Sequence, residues 1–213
     1  MTDAEMMATL ARVGAIITNS HVVYTSGRHG TAYVNKDALY LHPTATAALC
    51  AQMAASYDPA MVDVVAGPTV GGVILAQWVA WHLSQRDPTH EVLAVYAEEA
   101  SEGETKRRIF RRGYDQQVAG KRVIVVEDIV TTGGSARLVI DAVRALGGTV
   151  VGLSVLCNRS GQPPKELFDV PLHALTTIPL DSWAADECPM CAARLPINTT
   201  VGKGATFVAG SSR

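Results

Sequence analysis

Two neighbouring carboxylates, Glu127 and Asp128, stand three positions before a run of small hydroxyl and glycine residues, Thr131, Thr132, Gly133, Gly134 and Ser135. Glycines let the backbone approach a ligand closely, hydroxyls add donors, and a helix starting here would present unpaired N–H groups and the positive end of its dipole. Such a loop suits a phosphate monoester. It holds no lysine and no G-x-x-x-x-G-K-[ST] pattern, so a nucleoside triphosphate gripped by a P-loop has no support, and the lack of G-x-G-x-x-G argues against a dinucleotide. An acid pair beside a phosphate must face a hydrogen-bond donor. The cis-diol of a ribose is such a donor, with its 5′-phosphate reaching the loop. Either acid alone could be a helix cap or a solvated residue; the pair in this setting points to the sugar.

The elements that would hold these groups are legible around them. Val123, Ile124, Val125 and Val126 form an apolar run without alternation, the mark of a strand buried on both faces of a parallel sheet. After the loop, Leu138, Val139, Ala142, Val143 and Leu146 recur at helical spacing, and Gly147 and Gly148 supply a stop. The same layout occurs earlier. A strand over 62–66 leads into Gly67, Pro68, Thr69, Val70, Gly71 and Gly72, then a helix through Leu83, so a second anion fits on Thr69, Val70, Gly71 and Gly72. Pyrophosphate is the natural guess for it. Trp78, Val79 and Trp81 on that helix read as packing residues. Further strands are expected over 92–96, 149–156 and 173–178, with helices over 3–17 (Thr2 or Asp3 as start signal), 44–56, 136–146 and 186–193. Strands alternating with helices give an α/β fold with a mostly parallel sheet.

Four apolar residues, two acids, Ile129, Val130 and then Thr-Thr-Gly-Gly-Ser resemble the phosphoribosyl-pyrophosphate motif of the type I phosphoribosyltransferases. The resemblance implies that Glu127 and Asp128 hold ribose hydroxyls and act in catalysis while residues 131–135 hold the 5′-phosphate. It narrows the fold to one domain with an N-terminal hood over about 1–42, a core over about 43–180 and an extension over about 181–213. Thr25, Ser26, Gly27, Arg28 and then Tyr33, Val34, Asn35, Lys36, Asp37 are similar to the hood of orotate phosphoribosyltransferases, a Ser-Gly-Arg turn followed by a short strand over 33–37. Arg28, Tyr33 and Asn35 are therefore candidates for the base site. That family often has lysine where this chain has Thr25.

Residues 97–114 pass from acidic to basic without periodicity and are expected to be a charged loop acting as a lid. Orotate phosphoribosyltransferases begin this loop with a basic pair and carry a histidine later. Here Glu98 and Glu99 occupy the first place, and no histidine lies between His90 and His173. Lys106 and Arg107 are the catalytic candidates, with Arg108, Arg111 and Arg112 as further cations for pyrophosphate. Arg159, at the end of the strand that follows, is the candidate clamp for a planar carboxylate, since a guanidinium can donate two parallel hydrogen bonds. The family's acidic residue before it is Asn158 here.

Among 213 residues, 48% are hydrophobic and the formal net charge is −2, which permits a sizeable core and gives no general field for nucleic acid. The chain shows neither a signal-peptide pattern nor an apolar run of membrane-spanning length, so a cytoplasmic location is expected. Cys50 and Cys157 read as small core residues. Cys188 and Cys191 form a lone C-x-x-C with no second pair nearby, so they too are read as structural rather than metal-binding or redox, and no residue is named as a direct metal ligand. From Gly202 the chain has the composition of a tail. What the resemblance implies is transfer of phosphoribosyl from phosphoribosyl pyrophosphate to orotate, with Mg2+ and a homodimer. Two alternatives stay open: a transferase for another nucleobase, and a regulatory protein that keeps the phosphoribosyl site without turnover.

Overall fold

The computed structural model describes residues 3–24, 26–103, 105–178 and 181–211; Thr2 and Thr25 lie outside them. The chain divides into two compact units, one over 43–178 and one formed by 2–42 together with 179–213.

The second unit opens with α1 (Asp3–Arg12). The helix expected to 17 ends here because Gly14 adopts φ 70°, with Ala15 N–H donating to Leu10 C=O (2.8 Å) and Gly14 N–H to Ala11 C=O (3.0 Å). That is a Schellman stop. Ile16 and Ile17, in phase with the helix by sequence, instead form β1 (Ile16–Ile17). β2 (Val22–Val23) and β3 (His29–Gly30) make an antiparallel hairpin around Gly27 at φ 80°, and β4 (Tyr33–Val34) pairs antiparallel with β1. The strand expected over 33–37 stops at Val34: Asn35 N–H turns back to Ala15 C=O at 2.7 Å, and Lys36 and Asp37 start α2 (Lys36–Tyr40).

The first unit follows the expected alternation: α3 (Pro43–Ala55), β5 (Val64–Pro68), α4 (Gly71–Arg86), β6 (Leu93–Glu102), β7 (Thr105–Ile109), α5 (Tyr114–Val118), β8 (Arg122–Val130), α6 (Gly134–Ala145), β9 (Thr149–Asn158), α7 (Pro164–Leu167) and β10 (Leu172–Thr177). Its six strands run in the order β10-β9-β8-β5-β6-β7, parallel throughout except for β6 with β7. The apolar run of β8 thus sits between β9 and β5. Val123, Val125, Val64, Ala66, Leu153 and Val155 share one core with Val139, Ile140 and Val143 of α6, while the intervening Ile124 and Val126 are equally buried. Each valine, leucine or isoleucine among them contributes about 1.5–3 kcal/mol by leaving water. α4 packs on β5, β6 and β8, and α6 on β5, β7, β8 and β9. Val79 is fully buried, whereas Trp81 remains 47% exposed. Cys50 and Cys157 are buried as expected.

The charged segment expected as a loop is mostly a hairpin. Glu98 pairs with Ile109, Glu99 with Arg108 and Ala100 with Arg107 across β6 and β7. Glu99 and Arg108 bring opposite charges directly across the antiparallel pair, which stabilises it.

The chain then returns to the second unit. β11 (Ser182–Trp183) pairs antiparallel with β3, followed by α8 (Pro189–Ala192) and α9 (Gly204–Ser211). The stretch of tail composition thus carries a helix: Lys203 N–H donates to Val23 C=O at 2.8 Å, and Phe207 packs edge-on with His29. No helix among the described residues is long and apolar enough to cross a membrane.

Candidate functional site

The parallel sheet brings the carboxyl ends of β5, β8 and β9 side by side, where open α/β sheets bind ligands. At the end of β8, Glu127 and Asp128 are 7% and 6% exposed. Each supports local backbone: Glu127 Oε1 accepts from Asp128 N–H at 3.2 Å, and Asp128 Oδ1 accepts from Ile129 N–H at 2.8 Å. An ionised carboxylate only accepts hydrogen bonds, so two of them side by side suit a site that meets hydroxyl donors.

Directly beyond them, a cavity of 70 Å³ is lined by Glu127 and residues 129–136, containing all of Thr131, Thr132, Gly133, Gly134 and Ser135. Gly133 takes φ 78° ahead of the first turn of α6, and a Cβ there would lie 2.7 Å from Phe168 Cζ, so only glycine fits. The hydroxyl residues are exposed and available to a ligand. Arg137, which the sequence reading did not single out, holds this loop. Its guanidinium donates to Thr132 C=O and Leu167 C=O, both at 2.8 Å, and lies over the Phe168 ring at 5.3 Å. A helical arginine two residues past the motif gave no sequence signal, because its partners are backbone carbonyls.

At the end of β5, Thr69 and Val70 precede α4, and Gly71 and Gly72 open it. A Cβ on Gly72 would lie 2.6 Å from Pro68 Cδ, so this loop is as tight as the first. Arg108 of β7 reaches it: Nη1 donates to Thr69 Oγ1 at 3.0 Å. Its side chain is only 10% exposed and its Nη2 is 3.7 Å from Glu99. The other cations lie differently. Lys106 Nζ is 3.9 Å from Glu99, Arg112 Nε donates to Glu98 at 2.8 Å, and Arg107 is exposed on the hairpin. Glu99 thus pairs with bases across its own hairpin and Glu98 with Arg112 just beyond it, and Arg108 rather than Lys106 or Arg107 reaches the Thr69 loop.

At the end of β9, Arg159 is half-buried, and its N–H donates to Val130 C=O at 2.7 Å. Asn158 Oδ1 accepts from Ser160 N–H (3.0 Å) and Ser160 Oγ–H (2.8 Å), closing a turn just beyond the strand. An asparagine oxygen performs here the turn-holding task open to an aspartate. In the second unit, Arg28 donates through Nε to Ser182 Oγ at 2.9 Å and through Nη2 to Ser182 C=O, while Tyr33 and Asn35 are half-buried at the end of β4.

The reading of Cys188 and Cys191 as plain structural residues missed two partners. His21 and His29 converge on them, and the four ligand atoms lie within 4.8 Å of one another. Burial, and then the neighbouring His21, lower the pKa of His29. The histidines are about 160 positions from the cysteines, beyond the reach of any local spacing rule.

Residues 35–178 match the model of the phosphoribosyl transferase domain. Over 196 residues the chain is 37% identical to an orotate phosphoribosyltransferase of Pelotomaculum thermopropionicum, covering 92% of this chain and 95% of that one. It is 34% identical to one of Caldanaerobacter subterraneus, over 85% and 88% of the two chains. Among solved structures, an orotate phosphoribosyltransferase of Aeropyrum pernix superposes with a TM-score of 0.60 at 24% identity, over 81% of this chain and 93% of that one. One of Mycobacterium tuberculosis in complex with 5-phospho-alpha-D-ribosyl 1-diphosphate gives 0.56 at 22% identity, over 84% and 92%.

Proposed function

The chain belongs to the orotate phosphoribosyltransferases of the phosphoribosyl transferase family, and on that premise we propose how its residues carry the reaction. The phosphoribosyl group of 5-phosphoribosyl 1-pyrophosphate passes to a ring nitrogen of orotate, giving orotidine 5′-monophosphate and pyrophosphate. The bond from C1 to the pyrophosphate oxygen breaks ahead of the new carbon–nitrogen bond, so C1 gains positive character while charge grows on the leaving oxygens. The ring nitrogen's electron pair closes the new bond as its proton leaves to solvent or to the departing pyrophosphate, and no covalent enzyme intermediate is required.

The protein's part is positional and electrostatic. Glu127 and Asp128 accept from the ribose hydroxyls; Thr131, Thr132, Gly133, Gly134 and Ser135 receive the 5′-phosphate; Thr69, Val70, Gly71 and Gly72 receive the pyrophosphate. Arg108 joins Lys106 and Arg107 as the hairpin cations that neutralise the leaving group. Arg159 grips the orotate carboxylate, and Arg28, Tyr33 and Asn35 keep the base role that the resemblance implies. The buried carboxylate oxygens of Glu127 and Asp128 are hard acceptors of the kind that would suit Mg2+, which would help neutralise charge on the leaving pyrophosphate. The homodimer and the cytoplasmic location stay part of this proposal.

The observation that carries the reading is the buried acid pair directly before a glycine-bounded helix start. The test is turnover across a panel of bases with phosphoribosyl pyrophosphate and Mg2+, then Asp128→Asn and Arg159→Ala. Weakening one charge-assisted hydrogen bond should lower donor binding or turnover of the Asp128 variant by about 1–3 kcal/mol. Loss in the Arg159 variant should be specific to orotate. Near-native kinetics of Asp128→Asn, or tight donor binding with no pyrophosphate released for any base, would overturn the assignment.

A further inference from the structure

We propose that His21, His29, Cys188 and Cys191 form a structural metal site that takes one Zn2+ and fastens the β2–β3 hairpin to the C-terminal segment of the same unit. The site is independent of the catalytic reading.

Four soft or borderline ligands meet in one place. His21 Nε2 lies 2.8 Å from His29 Nδ1 and 3.7 Å from each of Cys188 Sγ and Cys191 Sγ, and His29 Nδ1 lies 3.3 Å from Cys191 Sγ. A tetrahedral zinc with ordinary bond lengths sets edges of about 3.3 Å between nitrogens and about 3.6 Å between nitrogen and sulfur. The nitrogen–sulfur edges already match within a few tenths of an ångström. The His–His edge has to open by about half an ångström, and the widest separation in the cluster, up to 4.8 Å, has to close.

The surroundings suit the same ion. His21 Nδ1 is 2.9 Å from Leu195 C=O. A carbonyl only accepts, so Nδ1 carries the proton and a neutral His21 turns the lone pair of Nε2 to the cluster. Metal-bound histidines are oriented by this kind of outer hydrogen bond. Cys188, His21 and His29 are 1%, 5% and 0% exposed, and neither cysteine is in a disulfide. Two thiolates with two neutral imidazoles balance the double charge of Zn2+, which permits burial; an S2N2 tetrahedron is a typical zinc set. Among the described residues, this is the one cluster of at least three such side chains placed to share an ion.

The ligands join distant parts of the chain. His29 stands in β3, one residue after Arg28, and pairs with Trp183 of β11; Cys188 directly precedes α8 and Cys191 lies within it. One ion therefore ties a hairpin near the amino end to a segment more than 150 residues later, closing a long loop in the unfolded chain.

Protein purified without chelator is analysed for metal and, after chelation, titrated with Zn2+ or Co2+ under reducing conditions. One Zn2+ per chain is expected, with a Co2+ spectrum showing tetrahedral d–d bands and thiolate charge transfer. Cys188→Ser with Cys191→Ser, and His21→Asn separately, should lose the stoichiometric metal, and chelation should lower the thermal midpoint of the wild-type chain only. The wild-type measurement stands even where a variant fails to fold. Three outcomes would overturn the site: no metal bound by the reduced wild-type chain, a mass showing Cys188 joined to Cys191, or metal retained by the cysteine variants. Zinc binding without orotate turnover would leave this site intact and remove the catalytic reading, so the two fail separately.

Discussion

Arg137→Ala isolates what the arginine behind the phosphate loop does. The wild-type guanidinium donates to Thr132 C=O and Leu167 C=O at 2.8 Å and covers the Phe168 ring, which in turn lies against Gly133. Two partly solvated hydrogen bonds at about 0.5–1.5 kcal/mol each, plus about 0.5–1 kcal/mol for the ring contact, give roughly 1.5–4 kcal/mol of lost stability. For a chain of 213 residues that corresponds to a fall in thermal midpoint of roughly 3–15 °C. Only the Thr132 contact bears on the loop itself, so donor affinity should weaken by about 0.5–1.5 kcal/mol, roughly two- to twelvefold. The assay is direct titration of phosphoribosyl pyrophosphate together with initial rates at saturating orotate. Kd and KM for the donor should rise in parallel with kcat within twofold, because Arg137 touches backbone and not the reacting atoms. Arg137→Lys should fall between, since an ammonium lacks the planar fork that reaches two carbonyls. A lowered thermal midpoint with donor Kd unchanged would refute the claim that this side chain shapes the anion site; a collapse of kcat would show that it acts on the substrate.

Other outcomes follow from the same geometry. Arg108→Met should raise KM for pyrophosphate in the reverse reaction by about tenfold while leaving KM for the nucleotide near native, because the lost group bonds Thr69 of the second loop; equal effects on both would place Arg108 elsewhere in the mechanism. At the opposite end of the sheet, hydrogen bonds from the Arg122 side chain, and secondarily from its N–H, hold the Asp63 carboxyl down to about 2 from 3.8. A depressed acid stabilises the fold above its unfolded pKa and loses that contribution as pH falls through the folded value. After allowance for solvent screening, Asp63→Asn should cost about 1–2 kcal/mol at neutral pH, with the difference from wild type shrinking between pH 4 and 2. Denaturant titrations at a series of pH values measure it, and a constant difference down to pH 2 would contradict the linkage.

Much of the core was legible because its chemistry is local. The run 123–126 names a central strand by its lack of alternation, and both strand, glycine loop, helix units stand where their sequence pattern put them. What could not be read depended on contacts between distant positions. The arms 97–102 and 105–109 are defined by pairing across the hairpin, as of Glu99 with Arg108, rather than by a period along the chain. Ile16 and Ile17 kept helical phase by coincidence until Gly14 turned the backbone. The helix over 204–211 is rich in small residues and lacks an amphipathic stripe; its place is fixed by Val23 and His29, which nothing in its own sequence announces. Cys188 and Cys191 looked solitary for the same reason, their companions having been spelled out near the other end of the chain.

The position of β7 at the border of the six-stranded sheet has one more consequence. A border strand offers unpaired amide and carbonyl groups on which foreign chains can polymerise, and long side chains of like charge discourage such templating. Lys106 and Arg107, both outward on that strand, give it this protection. The same ammonium and guanidinium proposed to meet an anionic leaving group would then also serve as guards against aggregation, so neutralising them risks insolubility as well as slow turnover.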